Sequence, residues 1–143
     1  MLAVCALTAA ACGSASTFAN KPRPPVPINL TVYINKARVS LSPTTVGAGP
    51  INFIVTNQAP SAESLTILPA GASAAQPLAD TGPINPQATA QVTVNFSSPG
   101  DYTVTTAANG TTEAAAATGP TIQPASLHIG PPRPSASNAL LQP

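Results

Sequence analysis

Apolar and polar residues alternate with period two along most of the chain. Ile28, Leu30, Val32 and Ile34 alternate with Asn29, Thr31 and Tyr33, the pattern of a strand with one buried face. Residues 38–41 predict a second strand, closed by Ser42-Pro43. Val46 precedes Gly47-Ala48-Gly49-Pro50, which reads as a turn. Ile51, Phe53 and Val55 then alternate with Asn52, Ile54 and Thr56 in a third strand. Residues 64–68 predict a fourth, with Leu65 and Ile67 inward, and residues 69–83, rich in Ala, Gly and Pro, read as loop. The clearest strand is 89–96, where Val92, Val94 and Phe96 face one way and Gln91, Thr93 and Asn95 the other. Ser97-Ser98-Pro99-Gly100 turns the chain into residues 102–106, and residues 125–129 form the last strand, with Leu127 and Ile129 inward. No convincing helical periodicity appears. About seven short strands separated by turn signals predict an all-β, Greek-key β-sandwich.

The two ends do not follow this pattern. Residues 2–11 are an apolar, small-residue run, too short to span a bilayer as a helix but suited to the core of a signal peptide. The run ends in Ala9-Ala10-Ala11-Cys12-Gly13-Ser14, which resembles a bacterial lipobox. The resemblance implies a diacylglyceryl group on the Cys12 thiol and cleavage before it, with two acyl chains giving stable membrane attachment. Cleavage after Ala9-Ala10-Ala11 without lipidation is the alternative, and either route exports the chain. Residues 13–27 read as a Pro-rich tether, extended in polyproline II. The expected organisation is a signal segment (1–12), tether (13–27), sandwich (28–130) and Pro-rich tail (131–143). The tail is expected to be extended, docking on a partner or folding back over an edge strand.

Composition narrows the function more than it names one. Only 6% of the 143 residues are charged and the formal net charge is +1, so no basic field exists to hold nucleic acid. Four of the five basic residues, Lys21, Arg23, Lys36 and Arg38, lie just after the expected anchor. There they serve linker solubility, or contact anionic headgroups in the sharper reading. Cys5 and Cys12 are the only cysteines. Cys5 falls in the segment to be removed, so no disulfide framework is expected and packing alone holds the fold.

Residues 42–57, the stretch Pro86-Gln87-Ala88-Thr89-Ala90, and Pro99-Gly100-Asp101-Tyr102-Thr103-Val104 together resemble the cupredoxin-like fold of secreted bacterial domains, over roughly residues 28–130. An immunoglobulin-like sandwich is the alternative, since Pro-Gly-x-Tyr before a strand occurs there too. In both families such a Tyr packs at a corner and bonds backbone through its hydroxyl, which makes Tyr102 a stability residue. The resemblance also implies blue copper and electron transfer, chemistry that needs two His, a Cys thiolate and usually an axial Met. The positions matching the first His are Glu63 and Ser64. The loop that carries Cys, His and Met in the family matches residues 105–123, which hold none of them. The single His, His128, is expected to point outward between Leu127 and Ile129.

Other chemistries find no footing. Nucleophilic catalysis needs a base beside its nucleophile, and His128 is expected on an outer face. Glu63, Asp80, Asp101 and Glu113 are the only acids, all read as solvated loop or turn residues. Neither calcium-loop spacing nor a phosphate-binding Gly motif occurs. The expectation is a non-catalytic cell-envelope lipoprotein with a cupredoxin-like binding or structural module and no cofactor. It would be anchored to the membrane through Cys12 or secreted, with an unidentified envelope protein as possible partner and loops 58–63 and 105–123 as contact surface. The alternative is electron transfer or copper handling, which would need ligands from a partner chain or a non-standard site at Glu63 and His128.

Overall fold

A computed structural model describes residues 25–72, 77–109 and 121–134. The lipobox with Cys12, most of the tether, Glu113 and the end of the tail lie outside the described residues. Among the described residues eight strands form: β1 (Ile28–Ile34), β2 (Val39–Ser42), β3 (Thr45–Asn57), β4 (Ala62–Pro69), β5 (Ala79–Ile84), β6 (Thr89–Phe96), β7 (Gly100–Asn109) and β8 (Ala125–Pro132). They build two layers that share β3. The first is β2-β1-β3-β6 and the second β3-β8-β7-β4-β5.

Sharing is possible because β3 has two arms. Its first arm, Thr45 to Ala48, pairs with β8 in parallel; its second, from Gly49, pairs with β1 in parallel and with β6 in antiparallel. The senses of these pairings show where the chain reverses. Ile34 O accepts from Gln58 N–H, and Asn57 donates to Ile84 O and Ala88 O, at one end of the sandwich, hereafter the loop end. There Ala62 of β4 faces Asn109 of β7, and β8 runs away from this end, antiparallel to β7. The first arm of β3 therefore runs away from the loop end and the second runs back toward it. The expected turn at Gly47–Pro50 is this reversal, made inside a hydrogen-bonded strand. A ladder irregularity between Gly47 and Ala48 and a φ of +134° at Gly49 accomplish it, the latter a conformation that L side chains rarely adopt.

The inward parity of the strands supplies the core. In the first layer Leu30 lies opposite Phe53 and Phe53 opposite Val92, while Ile28, Ile51 and Val94 form the neighbouring row. Leu65, Ile67, Val104, Leu127 and Ile129 face them from the second layer, each at most 1% exposed. Tyr102 stands edge-on against Phe96 with ring centroids 4.7 Å apart, and Phe96 meets Phe53 at 6.2 Å. This aromatic file crosses from one layer to the other and plugs the end opposite the loop end.

Three boundaries differ from the alternation pattern. β5 forms within the expected 69–83 loop, although Gly82 and Pro83 interrupt its period. It is an edge strand, where Pro is tolerated, and its ladder with β4 shifts register between Ser64 and Thr66. At that shift the Thr81 hydroxyl accepts the Leu65 N–H at 2.9 Å, replacing a backbone partner. β7 continues to Asn109, so residues 105–109 are strand and not loop. β8 continues to Pro132, which brings the first residues of the Pro-rich stretch into the sandwich.

The end opposite the loops is fastened by Arg133. Its backbone N–H donates to Ala48 O at 3.0 Å. Its guanidinium donates to three carbonyls: Gly47 (Nε, 3.1 Å), Val26 (Nη1, 2.7 Å) and Pro50 (Nη2, 2.6 Å). Only glycine leaves room for this side chain. A Cβ at Gly47 would stand 2.6 Å from Arg133 Cγ, and one at Gly49 2.8 Å from Nη2.

Candidate functional site

The loop end is organised by one buried polar residue. Asn57 falls on the inward parity of Ile51, Phe53 and Val55 and is fully buried. Its Nδ2 donates to the carbonyls of Ser61 and Ile84, both at 2.8 Å, and its Oδ1 accepts from Ala59 N–H at 2.9 Å. Its own backbone accepts from Gln87 N–H at 2.7 Å and donates to Ala88 O at 3.0 Å. One amide thus holds the β3–β4 loop against the end of β5 and the β5–β6 turn.

Two turns flank it. Asn35 accepts at Oδ1 from Ala37 N–H (2.8 Å) and Arg38 N–H (2.9 Å), an Asx arrangement that fixes the β1–β2 connection. In the Asn85–Ala88 turn, Ala88 N–H closes on Asn85 O at 3.0 Å and Gln87 has φ +63°. Pro then Gly is the usual filling for such a turn; here Gln occupies the glycine position. Gln123 reaches this end as well, accepting from Val39 N–H at 2.8 Å and donating to Ala37 O at 2.9 Å.

Between these segments lies a shallow, open depression. The β1–β2 turn (Asn35, Lys36, Ala37), the β3–β4 loop (Gln58, Ala59, Pro60) and the β5–β6 turn (Pro86, Gln87) line it. Among the described residues of this end, the ionisable side chains are the exposed Lys36 and Arg38 and the buried Glu63. The arrangement offers amides, proline rings and a cationic rim.

The structure brings some expected site residues together and separates others. Gln58 of the expected 58–63 contact loop lines the depression; residues 35–37 and 86–87 were not expected there. Glu63 and Ser64 are buried strand residues of β4, at 3% and 6% exposure; the strand was expected to begin at Ser64, and Glu63 belongs to it too instead of being a solvated loop acid. Glu63 Oε1 accepts from the Ser61 hydroxyl at 2.9 Å. His128 does point outward, and its Nδ1 meets Asp101 Oδ1 at 2.7 Å on the outer face of the second layer. Register keeps Glu63 and His128 apart. Glu63 lies opposite Ala108 of β7 and His128 opposite Asp101, so ~23 Å of strand separates them. The non-standard metal site expected from that pair is overturned.

No protein-family model matches the sequence, and no curated protein does either. Solved structures are similar. The dithionite-reduced auracyanin of the photosynthetic bacterium Roseiflexus castenholzii superposes with a TM-score of 0.50 at 15% identity, over 73% of this chain and 97% of that one. Auracyanin B superposes with a TM-score of 0.54 at 15% identity, over 73% of this chain and 89% of that one. The fold is cupredoxin-like.

A cupredoxin-like fold implies a copper centre, and the residues here do not fit one. The described residues include one imidazole, no thiol and no thioether, and no group of three metal-ligating side chains gathers among them. At the loop end, where the resemblance puts the first His, Asn57 spends its amide on backbone partners and Glu63 is tied to Ser61. A soft, two-imidazole thiolate site has no donors to draw on among these groups.

Proposed function

We propose that this chain is a non-catalytic, metal-free module of the bacterial cell envelope, exported and held to the membrane by a lipid on Cys12. In this reading it presents its loop end to an envelope partner. The observation that carries the reading is the spacing of the donors. The two candidate ligands, Glu63 and His128, stand at opposite ends of β7, and the amide of Asn57 is saturated by the fold itself. The place where the tether joins the sandwich is compatible with it: Val26 and Arg133 meet at the end opposite Lys36, Gln58 and Gln87. Among the described residues no helix is long and apolar enough to cross a bilayer.

Mass spectrometry of the mature protein from a bacterial host, together with metal analysis, tests both halves. The expected result is a chain beginning at Cys12 with diacylglyceryl mass and less than a tenth of an equivalent of copper. A chain beginning at Cys12 without lipid leaves a secreted module. Stoichiometric copper, or a blue absorption band, overturns the metal-free reading.

A further inference from the structure

The outward face of the first layer carries no ionised side chain on any of its four strands. Its polar residues are organised in rows across the strands. In one row Asn52 Nδ2 donates to Asn29 Oδ1 at 3.1 Å, while the Thr93 hydroxyl lies 3.4 Å from Asn52 Oδ1. In another, Tyr33 lies opposite Thr56 and Thr56 opposite Thr89, whose hydroxyls are 3.1 Å apart. Tyr33 is 46% exposed, one of three exposed large apolar side chains among the described residues.

We propose that this face binds a neutral polysaccharide chain, with Tyr33 stacked on a sugar ring and the amide and hydroxyl rows bonding the sugar hydroxyls. Charge selects the ligand class. Among the described residues the nearest ionised groups lie beyond the ends of these strands: Lys36 and Arg38 in the turn after Ile34, and Arg133, whose guanidinium is engaged by the carbonyls of Gly47, Val26 and Pro50, so a charged chain finds no counter-charge on the face itself. A neutral ligand displaces only water. The donor inventory fits as well: a sugar hydroxyl both donates and accepts, and so do Asn, Gln and Thr, whereas carboxylates and ammonium groups do one only. Asn29 engages its Oδ1 in the row, leaving its Nδ2 donors for a ligand. A Tyr ring offers an apolar face for sugar C–H groups and a hydroxyl at its tip.

Geometry adds preorganisation. The row bonds hold Asn52 and Thr93 in fixed rotamers before any ligand arrives, lowering the ordering cost of binding. Neighbouring strands are ~4.8 Å apart, about the length of one pyranose ring, so successive rings of a chain laid across the strands meet successive polar side chains. A second copy of the protein is a poor occupant. The face has Tyr33 and the half-buried Ile54 as its only large apolar side chains, well short of a dimer core.

Depletion binding of the full chain to insoluble chitin and cellulose, at 0.15 M and 1 M NaCl, tests this. The expected result is saturable retention on at least one of them, changed less than twofold by salt. Tyr33→Ala weakens it at least fivefold and Tyr33→Phe by less than threefold, with circular dichroism and melting unchanged because the side chain is half in solvent. Asn52→Ala weakens it two- to fivefold. No retention on either polymer, retention only on a polyanion such as alginate and lost in salt, full binding by Tyr33→Ala, or a Tyr33-dependent dimer in sedimentation each overturns it. These readouts do not depend on metal content or lipidation, so they stand or fall apart from the envelope reading.

Discussion

The Nη1 of Arg133 donates to the carbonyl of Val26 at 2.7 Å, joining the residue after the last strand to the residues that lead into the first. The same guanidinium serves Gly47 and Pro50 on β3. The segments before β1, at the fold of β3 and after β8 therefore depend on one cation.

Arg133→Ala is expected to cost about 2–3 kcal/mol, since three carbonyls lose a charged donor and the site is half-buried. Arg133→Lys recovers less than half of that, because an ammonium cannot present the planar fork that reaches three separate carbonyls. Urea denaturation of the two variants checks it; an Arg133→Ala midpoint within error of the parent rejects the fastening role.

Glycine at 47 and 49 makes room for that side chain. Gly49→Ala meets Arg133 Nη2 and Pro25 Cγ at 2.8 Å and must also hold φ near +134°, so a loss of at least about 2 kcal/mol is expected. Gly47→Ala meets Arg133 Cγ at 2.6 Å and Pro131 O at 2.9 Å. Its cost should shrink in an Arg133→Ala background but not vanish, because the carbonyl clash stays. A double-mutant cycle measures that coupling.

Asn57→Ala leaves two carbonyls and one N–H at the buried loop end without their partner. The expected loss is about 3 kcal/mol, and hydrogen exchange should rise first at Ala59 and Gln87. If those amides keep their protection, the loop end is held by something other than this side chain.

Gln87 lies in a left-handed conformation and its N–H is used by Asn57. Gln87→Gly relieves the backbone at the expense of unfolded-state entropy, and the melting point should move by less than about 1 kcal/mol equivalent. Gln87→Pro can satisfy neither the φ nor the hydrogen bond and should cost more than 2 kcal/mol, roughly. Equal melting points for the two variants would refute this account of the turn.

On the outer face of the second layer, His128 and Asp101 are exposed by 56% and 71%. A surface pair of this kind contributes little. His128→Ala should alter stability by no more than about 0.5 kcal/mol, and a larger change would assign His128 a role that its position does not show.

Strands with an unbroken period were readable from the chain. β1 and β6 occupy the stretches whose alternation is clean, because one face of each meets the core and the other meets water. β5 was not readable, since Gly82 and Pro83 break its period and its ladder is completed by the Thr81 hydroxyl, a tertiary partner. At Gly47–Pro50 the local signal for a reversal is true, yet nothing local says that both arms stay paired, because β8 lies about 80 residues further on. The loop end was half legible. Gln58 was expected there, while Asn35 and Gln87 arrive through tertiary contacts. One sign was available: Asn57 is a polar residue on the inward parity of β3, where a side chain needs partners for every donor it buries.

The two arms of β3 have a consequence for how the molecule comes apart. A strand that belongs to both layers leaves neither of them able to melt while the other survives, since loosening one frees the backbone that pairs the other. Unfolding should therefore be a single cooperative step, with far-ultraviolet dichroism and the environment of Tyr102 reporting the same midpoint.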